Sequence, residues 1–458
     1  MTDPGSFRDP SGHVFYEKNK VFRSVNYSYK KHYDHLIASG LYDRLINENL
    51  LVKHSEVELT QKFEGQYKIL EAEKVPFISY PYEWSFNQFK DAILLTLQIQ
   101  LISVKYNMTL KDSTPFNIQF VDNKPIFIDT LSFELIEGDN YVWKPYKQFC
   151  EMFLGPICLM SYVDPNLNKL LINNINGVPL NLINKLLPLK SKFNISVFIH
   201  IVLHNILKEK GDGNSKPTKK QSIITKEKHL NFIKQLENFV SEIKLPSFGS
   251  EWGQYNEETI SEKKDYVIDK KRTIKSFLEN EQYNLVWDVG SNDGFFSRIL
   301  AKKYSEYLIS FDIDWRCVDS NYIKCQSLKI KNVFPIILDL SNPTPPVGWM
   351  NKERSSVYER FGSPDLISCF ALIHHIINVG IPLENFMNFL CKTNKDVLIE
   401  YVPFSDPKCQ IIFESRGKDF KYPTQNEFEI ILKNQFNIVA KKKLNETNRA
   451  LYFLRKKS

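Results

Sequence analysis

The sequence predicts two α/β-type domains in tandem, a C-terminal parallel sheet covered on both faces and an N-terminal α+β domain. Three observations carry this reading. From residue 285 onward, apolar β-branched runs alternate with stretches of helical periodicity, the order of a doubly covered parallel sheet. Residues 208–220, KEKGDGNSKPTKK, have the Gly, Ser, Pro and charge content of a solvated linker. A chain of 458 residues also exceeds what one core holds, which predicts two or three domains. The expected division is 1–207, a charged linker and amphipathic helix over 208–245, and 246–458.

The C-terminal elements follow in order. In NLVWDVGSNDGFFSRILAKKY (284–304), Leu285 to Val289 branch like a buried strand, and Phe295, Phe296, Ile299 and Leu300 recur at helical spacing. Gly290 to Gly294 is then a strand-to-helix turn, where glycine permits tight geometry and close approach to a ligand at a helix N-terminus. A dinucleotide fingerprint would need Gly at 292 and 295, where the chain has Asn292 and Phe295. EYLISFDIDW (306–315) gives a second strand. Its Asp312, with Asp314 as runner-up, lies about 20 residues past the turn, where a ribose hydroxyl pair is gripped. A third strand is expected to end at Asp339, a fourth lies in PDLISCFALIHHIIN, and a fifth in KDVLIEYVPF. A helix near 425–434 and an antiparallel hairpin in FNIVAKKKLNETNRALYFLRK close the chain.

DVGSNDG resembles the acidic-x-Gly-x-x-x-Gly turn of S-adenosylmethionine (SAM) methyltransferases, with Asn292 at the usual middle glycine. The fold this resemblance implies is a Rossmann-like, seven-stranded class I methyltransferase sheet. It implies SAM as cofactor, bound by Asp288, Gly290, Asn292, Gly294 and Asp312, with Asp339 at the adenine amino group and Leu340 beside the ring.

Methyl transfer from a sulfonium is an in-line displacement, which needs alignment, exclusion of water and, for a hydroxyl acceptor, a base. In an open α/β sheet it occurs outside the C-terminal strand ends, between the first and fourth strands. His374 and His375 follow the fourth strand and are the catalytic candidates, His374 as base; Glu400 and Tyr401 sit near the end of the fifth. Asn351, Arg354 and Arg360 are expected on a helix before the fourth strand, as a grip for an anionic acceptor or as a solvated charged face. Trp252 and Tyr255 either cap the cofactor cleft or staple a leading helix to the sheet. His200 and His204 have i,i+4 spacing but lack a third ligand, so they read as helix residues and no metal is expected.

Composition is that of a packed enzyme, with 43% hydrophobic and 13% aromatic residues. The apolar runs are too short or too interrupted to span a membrane, and no signal segment opens the sequence, so a cytoplasmic address is expected. Seven cysteines show no Cys-x-x-Cys pair. A net charge of +7 with no dominant basic block does not indicate nucleic acid. Oligomeric state is not legible.

The N-terminal half carries a second signal in KYNMTLKDSTPFNIQFVDNKPIFIDTLSF. It reads as a helix end, a polar loop, a strand, a tight turn at DNK, a second strand and an acid. Asp112 and Asn117 lie five apart, with Asp129 twelve beyond. This resembles the catalytic segment of protein-kinase-like and aminoglycoside-kinase-like phosphotransferases, in which an Asp takes the acceptor proton while an Asn and a later Asp hold magnesium. The resemblance implies ATP and Mg2+ at an N-terminal kinase-like domain. Upstream, GHVFYEKNKVFRSVN is an expected hairpin, YSYKKHYDHLIASGLYDRLINENLL a helix, and VPFISYPYEWSFNQFKDAILLTLQIQLISVKY a strand, a hinge and a long buried helix. Three departures stand out: Leu110 where the family has His, no Gly-x-Gly-x-x-Gly loop, and Arg23 in place of the phosphate-anchoring Lys. A degenerate domain therefore fits as well as an active one.

Over nearly its whole length the chain resembles bacterial methyltransferases similar to nodulation protein NoeA, through GSFRDPSG, VPFISYPYEWSF, TLKDSTPFNIQF, KPIFIDTLSFE, DVGSNDG, DLSNPTPPVGW and ALIHHI. That resemblance implies SAM-dependent methyl transfer to a small-molecule or glycan acceptor, with the kinase-like domain binding or presenting substrate. Two other outcomes stay open, a bifunctional kinase-methyltransferase and a non-catalytic nucleotide- and SAM-binding scaffold.

Overall fold

The N-terminal hairpin forms as expected in the computed structural model, which describes residues 2–59, 63–206, 223–245, 264–393, 395–414 and 420–457. Strand β1 (Val14–Glu17) pairs antiparallel with β2 (Lys20–Asn26), and β3 (His54–Val57) and β4 (Gln66–Ala72) complete a sheet of order β1-β2-β4-β3. The single helix expected over 27–51 is two, Lys30–Ala38 and Leu41–Asn47, because Gly40 takes a left-handed φ of 81° that ends the first. The strand expected in VPFISY does not form. Two of its amides go to side chains instead, Ser79 N–H to Gln119 Oε1 (2.8 Å) and Tyr80 N–H to Glu83 Oε2 (2.8 Å). The long buried helix is Phe86–Lys105, opened by a capping box of Ser85 and Gln88. After it, β5 (Met108–Leu110) pairs with β8 (Phe133–Leu135), and β6 (Ile118–Val121) with β7 (Lys124–Phe127). The β6–β7 turn places Asp122 and Asn123 at φ of 55° and 58°, the signature of a two-residue hairpin loop.

This first unit comprises Met1–Ser247 together with Pro345–Ser356. The amphipathic helix falls at Lys226–Glu242, and His229 at its start meets Gln100 on the long helix (3.0 Å). His200 and His204 lie in the helical segment Phe198–Leu203 and its continuation, where Tyr146 shares a hydrogen bond with His200 Nδ1 (2.6 Å) and stacks on His204. The linker at 208–220, with Trp252 and Tyr255, lies outside the described residues.

The second unit comprises Phe248–Thr344 and Val357–Ser458. Its strands are β9 (Tyr283–Val289), β10 (Ser305–Asp312), β11 (Val333–Ile337), β12 (Leu366–Cys369), β13 (Asp396–Tyr401), β14 (Phe436–Lys443) and β15 (Ala450–Lys456). Among the described residues they form one seven-stranded sheet of order β11-β10-β9-β12-β13-β15-β14. The first five are parallel, and β15 runs antiparallel to both β13 and β14. The α/β sheet with its closing hairpin is thus as expected. The chain winds outward from β9 through β10 to β11 and then from β12 through β13, so the switch point falls between β9 and β12.

A third expectation is corrected. Asn351, Arg354 and Arg360 do not share a helix: Met350 and Asn351 take left-handed φ of 55° and 56°, and the Arg354 backbone pairs with Val347 in an antiparallel bridge (2.9 and 3.0 Å). Residues 345–356 instead fold within the first unit. There Glu353 takes the Arg8 guanidinium bidentately (2.5 and 2.8 Å), Arg354 lies 4.3 Å over the Phe116 ring, and Ser355 N–H reaches Tyr80 Oη (3.2 Å). Asn351 ends a 3-10 turn, Trp349–Asn351, and Arg360 lies in a separate α-helix, Val357–Phe361.

Candidate active site

The turn after β9 is built by backbone geometry. Gly290, Asn292 and Gly294 have φ of 72°, 50° and 73°, and Gly294 opens the helix Phe295–Lys303 from the left-handed region. A Cβ at Gly294 would strike the Asn321 side chain, so glycine is required there by both backbone and packing. Asp312, at the end of β10, accepts Asn292 N–H (2.6 Å) and Asp314 N–H (2.9 Å), which fastens the turn to the neighbouring strand. Burial pushes the Asp312 carboxyl up to about 6 against the pull of those two amides. A carboxylate has about four acceptor positions, so two remain for a ligand. Asp314 is otherwise engaged, its side chain accepting Arg316 N–H (2.9 Å) at the N-cap of Trp315–Ser327.

Asp288 lies beneath the turn, 1% exposed, accepting Ser297 Oγ–H (2.5 Å) and Ser368 Oγ–H (2.6 Å). It joins the first helix to β12. A chain of small polar groups continues from it: Ser310 donates to Ser291 Oγ (2.8 Å), Asn321 Nδ2 to Ser310 (2.9 Å), and Arg298 to Asn321 Oδ1 (2.9 Å) and the Asp293 carbonyl (2.5 Å). These residues were not singled out from sequence. The available signal was serine inside otherwise apolar strands, Ser310 in LISF and Ser368 in LISC.

β11 ends at Ile337, two residues before Asp339, whose carboxylate accepts Ser341 N–H (2.8 Å) and Oγ–H (2.6 Å); half-buried Leu340 follows. No hydrogen bond joins Asp339 to the turn among the described residues. Past β12, Leu372 lies against Gly290 and leads into the helix Ile373–Asn378 carrying His374 and His375. His374 is buried with its Nδ1 unpaired and its ring 4.3 Å from that of His375. Burial holds His374 well below the ordinary imidazole range and His375 down to about 4, so both are neutral at neutral pH.

A second group at the end of β13 was seen from sequence only in part. Glu400, fully buried, accepts Tyr266 Oη–H (2.6 Å) and Lys270 Nζ (2.7 Å), with Arg449 at 3.5 Å; Arg449 Nε also binds Asp406 (2.9 Å). The Lys270 ammonium lies 4.3 Å from the ring centres of both Phe296 and Phe370. Burial raises the Glu400 carboxyl, but Lys270 and Arg449 outweigh it and hold it below the usual range. Tyr401 instead turns its hydroxyl to the Pro423 carbonyl (2.9 Å).

In the first unit, Arg23, Asp112, Asn117 and Asp129 come together. Asn117 Nδ2 donates to Asp112 Oδ2 (3.1 Å) and Ser132 Oγ (3.0 Å), Ser132 donates to Asp129 Oδ2 (2.7 Å), and Arg23 pairs with Asp129 Oδ1. Burial and the nearby Asp129 charge push Asp112 up to about 6. Arg23 is thereby bound to an acid of the cluster, and Ser132 is a member that spacing did not reveal. Beside it, Lys111 Nζ holds Asp9 (2.9 Å) and Ser11 (2.8 Å).

No protein-family model matches the chain. Among solved structures, N-methyltransferase NodS from Bradyrhizobium japonicum WM9 is 11% identical, with a TM-score of 0.32, matched over 42% of this chain and 97% of NodS. Magnesium protoporphyrin IX methyltransferase (ChlM) from Synechocystis PCC 6803, with bound S-adenosylhomocysteine, is 19% identical with a TM-score of 0.31, over 42% of this chain and 86% of ChlM. Nodulation protein NoeA of Rhizobium meliloti (strain 1021) is 30% identical over 459 residues, spanning 98% of this chain and 94% of NoeA. The chain belongs to the family of nodulation protein NoeA.

Proposed function

We propose that this chain is a SAM-dependent methyltransferase acting on a small-molecule or glycan acceptor. The observation that carries the reading is the Gly290–Gly294 turn fastened to Asp312 at the C-terminal ends of β9 and β10, beside the switch point of the sheet. The donor set fits the cofactor: Asp312 keeps acceptor positions for ribose hydroxyls, the turn offers backbone at a helix N-terminus, and Asp339 with Leu340 stands at the next strand end. When bound, SAM supplies an electrophilic methyl group on a sulfonium. Asp288 acts through position, holding the turn by Ser297 and Ser368. His374 is the candidate base for a hydroxyl acceptor because its Nδ1 has no partner, although the burial that keeps the ring neutral also makes it a weak base.

Titration calorimetry of the full chain with SAM tests this. Saturable one-site binding, lost in Asp312→Ala, supports the assignment; unchanged binding in that variant rules out the site. Methyl transfer to an acceptor from cell extract, dependent on Asp312, rules out the non-catalytic scaffold.

A second reading concerns the first unit, favoured by the convergence of Asp112, Asn117 and Asp129. We infer a kinase-like site that holds a nucleotide with magnesium, and so binds or presents substrate. Magnesium-dependent ATP binding to the full chain, abolished by Asp129→Ala with SAM affinity intact, is the expected result. No such binding removes this reading, and ATP turnover lost in Asp112→Ala would favour the bifunctional enzyme.

A further inference from the structure

The three most exposed large apolar side chains among the described residues stand within seven positions of one another: Leu189 (79%), Phe193 (87%) and Ile195 (75%). Leu186, Phe198 and Ile199 in the same stretch are exposed as well. The segment is firmly anchored: Leu187 and Val197 are buried, Ser191 Oγ donates to the Pro188 carbonyl (2.7 Å), and Asn194 caps Ser196 N–H (2.9 Å). The apolar groups are therefore displayed on an ordered support. A face of this kind marks an interaction surface.

Charge narrows the partner. Residues 165–208 contain no Asp or Glu, although 53 acids in 458 residues would place about five in such a stretch; Lys169, Lys185, Lys190, Lys192 and Lys208 match the chain's average basic density, so the stretch is positive through its lack of acids. Apolar prongs set among lysines, with no acid, match the interface of an anionic bilayer, where side chains enter the headgroup boundary and ammonium groups meet lipid phosphates. A symmetric contact with a second copy would set lysine against lysine with no acid to pair them. No helix of the described residues is long and apolar enough to cross a membrane, so the contact would be peripheral.

We propose that the face formed by residues 186–199 docks this protein on anionic lipid surfaces. The test is co-sedimentation of the full chain with phosphatidylcholine vesicles with and without phosphatidylglycerol. Binding is expected to need phosphatidylglycerol and to weaken with salt. Phe193→Asp should reduce affinity about tenfold or more, and Lys190→Glu by a few-fold. Phe193 is 87% exposed, so an unchanged melting temperature in its variant separates lost docking from lost folding. Absence of pelleting, equal pelleting on pure phosphatidylcholine, or full binding by Phe193→Asp overturns the proposal. A self-associating species abolished by Phe193→Asp, without vesicle binding, also overturns it and assigns the face to contact between copies.

Discussion

Replacing Asp112 by Asn should stabilise the first unit while removing the acid from its cluster. The Asp112 carboxyl is raised from 3.8 to about 6, first by burial and then by the charge of Asp129. Because the folded value lies above the unfolded one, the native state holds the proton more tightly, and ionisation at higher pH works against folding. The cost is complete above about pH 6 and vanishes as pH falls below about 4. A separation of about two pH units at ~1.4 kcal/mol each gives about 3 kcal/mol at neutral pH. Asn at 112 retains an oxygen for Asn117 Nδ2 and carries no charge toward Asp129, so most of that amount should return as stability. Hydrogen exchange followed by mass spectrometry on peptides from β5 to β8 reads this locally, without requiring two-state unfolding of the whole chain. Slower exchange in the variant at neutral pH, with the difference fading toward about pH 4, is expected. Equal or faster exchange at neutral pH, or a gain independent of pH, would refute the electrostatic account.

Three further outcomes follow from the second unit. SAM affinity should fall as pH drops through about 6, because protonation removes acceptor positions from Asp312; calorimetry at about pH 5 and about pH 7.5 measures it, and a flat profile would contradict the assigned role. Gly294→Ala should lower stability by about 1–3 kcal/mol through its left-handed φ alone, with more from collision with Asn321, read as a fall in melting temperature with loss of SAM binding. Lys270→Met should cost about 3–5 kcal/mol by breaking a buried ion pair, and adding Glu400→Gln should recover much of it, measured by urea unfolding of both variants.

The sheet was legible because apolar runs spaced by helices leave few topologies open, and VWDV, ISFD and LIEY each fall on an observed strand. The Gly290–Gly294 turn was legible because left-handed positions favour Gly and Asn. Elements governed by long-range partners were not. VPFISY has strand composition but gives its Ser79 and Tyr80 amides to Gln119 and Glu83, and the helix expected to carry Asn351, Arg354 and Arg360 gives way to left-handed Met350 and Asn351 and the Val347–Arg354 bridge. Buried charge was hidden for a similar reason: nothing near Lys270 in sequence announces Glu400, 130 positions away. Asp112, Asn117 and Asp129 were found by spacing because one loop and one hairpin carry all three. The ion pair that occupies Arg23 depends on how β2 comes to lie beside that hairpin, whereas Ser132, three residues past Asp129, is local and was hidden only because the compared motif has no serine there.

The excursion at Pro345–Ser356 makes the first unit discontinuous in sequence. A nascent chain that has emerged only through residue 247 lacks the carboxylate that Arg8 grips and the guanidinium that covers Phe116, next to Asn117. The amino-terminal half therefore gains these contacts only after more than three-quarters of the protein has been synthesised. The order of synthesis thus places the covering of Phe116 and the pairing of Arg8 after passage through β11.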